Sequence, residues 1–351
     1  MEELEKLFSD APTVDISNKD RLVIFSDLHM GDGGRMDDFL HNGEFFKHIL
    51  EHYYEKQEYK LILDGDVDEL HRFSLKAVYR RWKDLYIIFK RFYDRGALYK
   101  IFGNHDLELS EVRKLPKDIP IFEAVKLQYN NHHIFIFHGH QVGRFFFKIG
   151  HRLINIILRF FANTLRIKNY SVAQNKRKKF NIEKRVYEFS RRKKIMTFIG
   201  HTHRPLFESL SKKETLKFRI ENLCREYPTA DSQRRQYLER RILKYKEELR
   251  YIIQKREEED LISTLYNSNS EPLVPCLFNA GCAIGKSGIT ALEIYEGNIR
   301  LVYWFDKNIS QKYFDFNGYV LEPLEGSPYY KVILKEDSLD YMFARIRLLS
   351  D

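Results

Sequence analysis

Five short blocks hold most of the residues in this chain that could do chemistry: Asp27-Leu28-His29, Gly65-Asp66, Gly103-Asn104-His105-Asp106, His138-Gly139-His140 and Gly200-His201-Thr202-His203. Convergence of the blocks would put two Asp, one Asn and four His together. That inventory suits two metal ions sharing one bridging group. Mixed imidazole and carboxylate ligation favours Mn, Fe or Zn over Mg or Ca, which take all-oxygen shells. Two ions about 3.5–4 Å apart clamp the attacking and leaving oxygens of an in-line displacement at phosphorus. Metal coordination lowers the pKa of water from 15.7 towards about 7, so no protein base is needed to make the nucleophile. A proton for the leaving oxygen is still required, and His105, beside a ligand, is placed to give it. Asn104 offers a neutral oxygen and keeps an NH₂ donor for substrate or outer contacts. Asp64, just before the Gly-Asp pair, is a candidate outer partner.

The blocks need elements that bring them together across about 180 residues of chain. Each follows an apolar run: Leu22–Phe25, Leu61–Leu63, Leu98–Phe102, Ile134–Phe137 and Ile195–Ile199. These runs have the length and the Ile, Val and Phe content of buried strands. In open α/β sheets, sites form beyond the carboxyl ends of strands, so five strand exits can converge on one place. Any one block is ordinary turn chemistry. Five of them in order, each at a strand exit, are not.

The order DxH, GDxxD or GDxxE, GNHD, a His-containing block and GHxH resembles the calcineurin-like metallophosphoesterases over residues 20 to 205, with 276 to 306 continuing it. The resemblance implies an α/β fold, a four-layer α-β-β-α sandwich. It assigns Asp27, His29, Asp66 and His203 to one metal and Asp66, Asn104, His138 and His201 to the other, with Asp66 as the bridge. His105 would contact the phosphate and protonate the leaving oxygen, with Asp106 orienting it from behind. Two divalent ions are expected, Mn first, with Fe or Zn as alternatives. The other histidines, His41, His48, His52, His71, His132, His133 and His151, are expected in helices or turns without a role in the site.

Composition bounds the rest. With 351 residues and 43% hydrophobic content, the chain can bury a large core. Cys224, Cys276 and Cys282 are scattered, which suggests neither a disulfide framework nor a cysteine metal site. A reducing cytoplasm fits, because the N-terminus is acidic without an apolar run behind it and no apolar stretch reaches the roughly 18 residues of a membrane span. The net charge of +9 is uneven, since residues 144 to 194 alone carry 16 Lys or Arg against Glu183 and Glu188. That segment, with Phe145-Phe146-Phe147 and Phe160-Phe161 between cations, reads as a basic helical lid beside the site. Such a lid suits an anionic membrane surface, an amphiphilic polyanion or, as an alternative, nucleic-acid phosphates. Together with Gly200-His201-Thr202-His203-Arg204-Pro205 it resembles the UDP-2,3-diacylglucosamine pyrophosphatase branch. That branch, however, commonly has Arg where His105 stands and HGD where this chain has His138-Gly139-His140.

The organisation expected is a core over 1–143, the lid over 144–194, core again over 195–207, a helical insertion over 208–275, core strands over 276–306 and a tail over 307–351 of unknown role, with docking one candidate. Within the insertion, Leu238, Ile242, Tyr245, Leu249 and Ile252 give residues 234–262 a helical seam, which packs on its own chain or dimerises. Ile289–Tyr295 and Ile299–Trp304 read as a hairpin completing the second sheet, and Asn130-Asn131 as the turn of another. The function expected is hydrolysis of a phosphodiester or pyrophosphate bond by a metal-bridging hydroxide, on a phosphorylated small-molecule or nucleotide-lipid substrate. Alternatives are a nucleic-acid or cyclic-nucleotide phosphodiesterase, a phosphomonoesterase, and a metal-dependent interaction module without turnover.

Overall fold

A computed structural model describes residues 1–110, 119–142, 176–209, 212–254, 274–311, 313–314 and 320–350. The Phe-rich first part of the expected lid lies outside the described residues. The chain divides into two units, residues 1–207 with 276–351, and residues 208–275.

The larger unit begins with α1 (Glu2–Asp10), β1 (Thr13–Ile16) and β2 (Arg21–Phe25), then α2 (Gly43–Ile49), whose continuation Leu50–Glu55 widens to a π-helix. There follow β3 (Lys60–Asp64), α3 (Leu75–Arg81), α4 (Lys83–Asp94), β4 (Leu98–Ile101), β5 (Ile121–Phe122), β6 (Ala124–Tyr129) and β7 (His132–Phe137). After α5 (Lys176–Lys193) and β8 (Met196–Ile199) comes the smaller unit, and then β9 (Leu277–Asn279), β10 (Ile289–Tyr295), β11 (Asn298–Asp306), β12 (Leu321–Pro323) and β13 (Tyr329–Ser338). All the apolar runs identified in the sequence form strands.

Two sheets result. Eight strands run in the order β12-β13-β11-β10-β2-β3-β4-β5 and five in the order β1-β6-β7-β8-β9. The motif-bearing strands β2, β3 and β4 are parallel neighbours, as are β7 and β8. Their carboxyl ends therefore open on one side of each sheet. Both faces of these strands are apolar: Val23 and Phe25 meet α2 and the π-helix through Phe46 and Tyr54, while Leu22 and Ile24 on the other face are also fully buried. On the five-stranded sheet, Phe135 meets Phe8 of α1 at 5.2 Å and Phe189 of α5 at 6.1 Å. Helix, sheet, sheet, helix is the expected four-layer order. Each buried Phe contributes about 1.5–3 kcal/mol, so the aromatic contacts anchor the outer helices to their sheets.

Three readings need correction or completion. The hairpin β10–β11 joins the first sheet: Leu292 pairs with Ile24 of β2, and only β9 extends the second sheet. The free edge of β2 needs a strand buried on both sides, and β10, with Ala291, Leu292, Glu293 and Ile294 all buried, supplies it. The tail, in which no motif could be read, is part of the fold: β13 pairs along β11 and the terminal α8 (Leu339–Leu349) buries Leu339, Met342, Phe343 and Ile346. Phe343 stacks on His132 at 4.4 Å. Finally, His132 and His133 belong to strand β7 rather than a helix or turn. The Asn130-Asn131 turn links β6 to β7 as read, with Asn130 at φ 51°.

In the smaller unit, α6 (Lys212–Glu226) and α7 (Ser232–Gln254) form a helical hairpin. Asp231 caps the second helix by accepting from the Arg234 N–H at 2.8 Å. Leu216 and Tyr245 are buried between the helices with Ile220, Leu223 and Leu249, so two seam positions, Tyr245 and Leu249, pack within the hairpin. Among the described residues no helix is long and apolar enough to cross a membrane.

Candidate metal centre

The residues following β2, β3 and β8 turn abruptly. Asp27, His29, Asp66, His201 and His203 all have positive φ, between 49° and 62°. For residues with a Cβ this left-handed conformation costs about 1–2 kcal/mol each. Here it points consecutive side chains into one space. Two glycines allow the turns to touch. A Cβ on Gly200 would lie 1.8 Å from Ser26 Oγ, and one on Gly103 would lie 2.1 Å from Asp66 Oδ1.

Backbone and neighbouring groups fix the carboxylates. Asp27 Oδ2 accepts from the His201 N–H at 2.8 Å, and Asp66 Oδ1 accepts from the His105 N–H at 2.8 Å. The remaining oxygens face the imidazoles. Asp27 Oδ1 lies 3.0 Å from His203 Nε2, 3.7 Å from His29 Nε2 and 3.9 Å from His138 Nε2. Asp66 Oδ2 lies 3.1 Å from His138 Nε2 and 3.9 Å from His29 Nε2.

The tautomers follow from the far nitrogens. His138 Nδ1 donates to the Asp64 carbonyl at 2.7 Å and His29 Nδ1 donates to Glu69 Oε2 at 2.9 Å, which leaves each Nε2 with its lone pair inward. His29 Nε2 and His203 Nε2 face each other at 3.2 Å. Asp27 Oδ1, Asn104 Oδ1 and His138 Nε2 are buried and make no hydrogen bond. Buried donor atoms so crowded and so poor in hydrogen-bond partners match a cation-binding donor set. Among the described residues four groups have all donor atoms within 4.8 Å of one another: Asp27 with His29 and His203, Asp66 with His138 and His201, His29 with Asp66 and His105, and Glu69 with His71 and His105; the first two hold the expected ligands. Every imidazole and carboxylate expected as a ligand falls in one of the first two, and Asn104 follows Gly103, which packs against Asp66, with its own Oδ1 buried and without a hydrogen bond.

Protons compete for the same lone pairs. Burial opposes a charge on His138, but Asp66 and Asp27 outweigh it and raise its pKa to about 10. Burial, with His138 adding to it, lowers His201 to about 3. Burial also opposes ionisation of Asp66, yet His138 and His105 hold its pKa well below the usual carboxylate range. The cluster is thus a set of anions and mixed imidazoles whose charge balance a divalent cation can replace.

Sequence reasoning missed Glu69. Its Oε1 accepts from His105 Nδ1 at 2.8 Å while Oε2 holds His29, so one buried carboxylate orients both the candidate acid and a candidate ligand. The signal was present, since Gly65-Asp66-Val67-Asp68-Glu69 spells the GDxxE form. The role given to Asp106 is corrected accordingly. Its carboxylate accepts from the backbone N–H groups of Val67 at 2.9 Å and Gly103 at 2.5 Å, and so ties two motif loops together rather than orienting His105. Asp64 acts through its backbone carbonyl; burial pushes its carboxyl up to about 8. His71, set aside in the sequence, brings its ring centroid within 4.3 Å of that of His105. His140 stands outside both donor groups, its ring 5.6 Å from that of His138.

The Gly200–His203 turn is held by residues with no motif of their own. Asn279 Nδ2 donates to the Gly200 carbonyl at 2.9 Å and to Thr202 Oγ1 at 3.0 Å. The fully buried Glu183 of α5 accepts from Thr202 Oγ1 at 2.9 Å and pairs with Arg204. The described part of the expected lid, α5, is therefore a packed helix of the core.

Residues 21–218 match the family model of the calcineurin-like phosphoesterase superfamily domain. A solved structure of a conserved uncharacterized protein from Streptococcus pneumoniae, described as a predicted phosphoesterase, aligns with 82% of this chain and 89% of its own at 9% identity and a TM-score of 0.28. Comparison with curated proteins gives no match. With the match extending over more than half of its length and covering all five motifs, the chain belongs to the calcineurin-like phosphoesterase superfamily, metal-dependent hydrolases of phosphoric esters.

Proposed function

We propose that this protein binds two divalent ions, Mn first, and cleaves a phosphodiester or pyrophosphate bond in an amphiphilic or nucleotide-containing substrate. The observation that carries the reading is the pair of adjoining donor groups, Asp27–His29–His203 and Asp66–His138–His201, in which the carboxylates of Asp27 and Asp66 both approach His29 and His138. When bound, two such ions supply Lewis acidity and activate water at neutral pH. The chain does the rest. Asp66, turned inward on one oxygen and fixed by the His105 N–H on the other, is the natural bridge. His105 gives Nδ1–H to Glu69, so Nε2 is the atom left to protonate a leaving oxygen. Burial disfavours its charged form, but Glu69 and Asp66 prevail and raise its pKa, which suits an acid at neutral pH.

Charge beside this centre supports the substrate class. Lys179 on α5 lies one helical turn before Glu183, the residue that grips Thr202 and Arg204. Lys179 is half-buried; burial lowers its pKa, and the charges it feels include those of Glu183, Arg204 and Asp27. An ammonium there suits a second anionic group beyond the scissile phosphorus. The strongly basic and apolar composition of residues 144–175 favours the same kind of substrate, with an apolar part.

The test is hydrolysis of bis-p-nitrophenyl phosphate and p-nitrophenyl phosphate side by side with Mn²⁺. Preference for the diester is expected. Preference for the monoester would make the protein a phosphomonoesterase and remove the proposed class.

A further inference from the structure

We propose that Glu69, His71 and His105 form a third cation site, distinct from the two-ion centre, which takes zinc and inhibits the enzyme. The proposal rests on reading the centre as a two-ion site and His105 as its acid. Three observations lead to it. The donor atoms of Glu69, His71 and His105 lie within 4.8 Å of one another. Glu69 and His105 are buried while His71 is only partly so, which leaves one side of the group open to an entering ion. His71 has no place among the donors of the two-ion centre, yet its ring stands against His105 at a centroid separation of 4.3 Å.

The donor set is two imidazoles and one carboxylate with an open fourth position, the pattern of exchangeable zinc sites. Zinc bonds of about 2.0–2.1 Å separate tetrahedral ligands by about 3.3 Å. The 2.8 Å between His105 Nδ1 and Glu69 Oε1 therefore needs only a small opening as zinc replaces the proton between them. Zn²⁺ exceeds Mn²⁺ in affinity for such nitrogen-rich ligands, so Mn²⁺ at the same concentration leaves the site free. Repulsion from two nearby cations keeps the third weaker than the centre itself. Its effect is direct: a zinc-bound His105 is no longer held by Glu69 to protonate the leaving oxygen, and Glu69 is drawn from His29.

The experiment titrates metal-free protein with Zn²⁺ while zinc per chain is counted by elemental analysis, beside a sample loaded with Mn²⁺ alone. Turnover of bis-p-nitrophenyl phosphate is followed alongside. The expected result is two manganese ions per chain in the manganese sample and three zinc ions in the zinc sample, with turnover lost as the third zinc enters. In His71→Ala and in His71→Gln, manganese content and basal turnover stay, and about tenfold or more zinc is needed to fill the third position. Saturation at two zinc ions per chain, or a third zinc bound equally by wild type and both variants, would overturn the third site while leaving the two-ion centre standing. A chain that takes up no manganese would overturn both. The metal count decides the matter even where the diester is a poor substrate.

Discussion

At the level of single residues, the centre is built by oxygens and nitrogens that are each fixed on one side and free on the other. Asp27, Asp66, His29 and His138 each spend one polar atom on a neighbour and turn the second inward. Left-handed backbone at five ligand candidates is the strain that this convergence requires. His105 differs from its neighbours because its partner, Glu69, also holds a ligand. Truncating His105→Ala should keep both manganese ions and lower turnover by about 10²–10⁴-fold, the range of a lost general acid; metal analysis beside steady-state kinetics checks it. Glu69→Gln, able to accept from only one of the two Nδ1–H groups, should weaken both turnover and manganese retention, the latter by about tenfold. The ligand types were legible in the sequence because each sits in a short motif at a strand exit. Glu69 stands at the fifth position of the GDxxE block, but the spacing alone does not say that its two oxygens reach different histidines. His71 was hidden because nothing in a sequence tells which histidine a turn will fold back against His105.

The elements show which kinds of signal survive folding. Strands β2, β3, β4, β7 and β8 were legible because both of their faces are buried and their sequences read as continuous apolar runs. Sheet membership was not, since β10 could satisfy either sheet and only the open edge of β2 decides. Likewise α5 looked like part of a lid because its charges dominate its sequence, yet Phe180, Val186, Phe189 and the paired Glu183 bury one face of it. The tail carried no motif because an edge strand and a covering helix need only apolar periodicity. Close approach between elements is the sharpest constraint on the site. Gly200→Ala should force Ser26 and Asp27 apart, costing about 1–3 kcal/mol of stability and the metal held by Asp27. Denaturant unfolding without metal, followed by manganese counting, would show both effects; an unchanged midpoint with full manganese content would contradict the packing described.

For the whole molecule, two sheets bring together residues from 27 to 203 that no local element could unite. The smaller unit, residues 208–275, is inserted between Leu206 and Asn279, which pair with each other by backbone hydrogen bonds of 3.1 and 2.9 Å. The insertion thus leaves and returns at one bridge and need not disturb the turn that carries His201 and His203. The architecture brings Asp66 within 3.1 Å of His138 and 3.9 Å of His29, imidazoles of the two donor groups that the proposal assigns to separate ions. The most direct measurement is manganese stoichiometry and Mn²⁺-dependent hydrolysis of bis-p-nitrophenyl phosphate, with Asp66→Asn beside the wild type. Two ions per chain and turnover abolished by chelation are predicted for the wild type, with loss of one or both ions and of turnover in Asp66→Asn. Full manganese content and undiminished hydrolysis in Asp66→Asn would contradict the account.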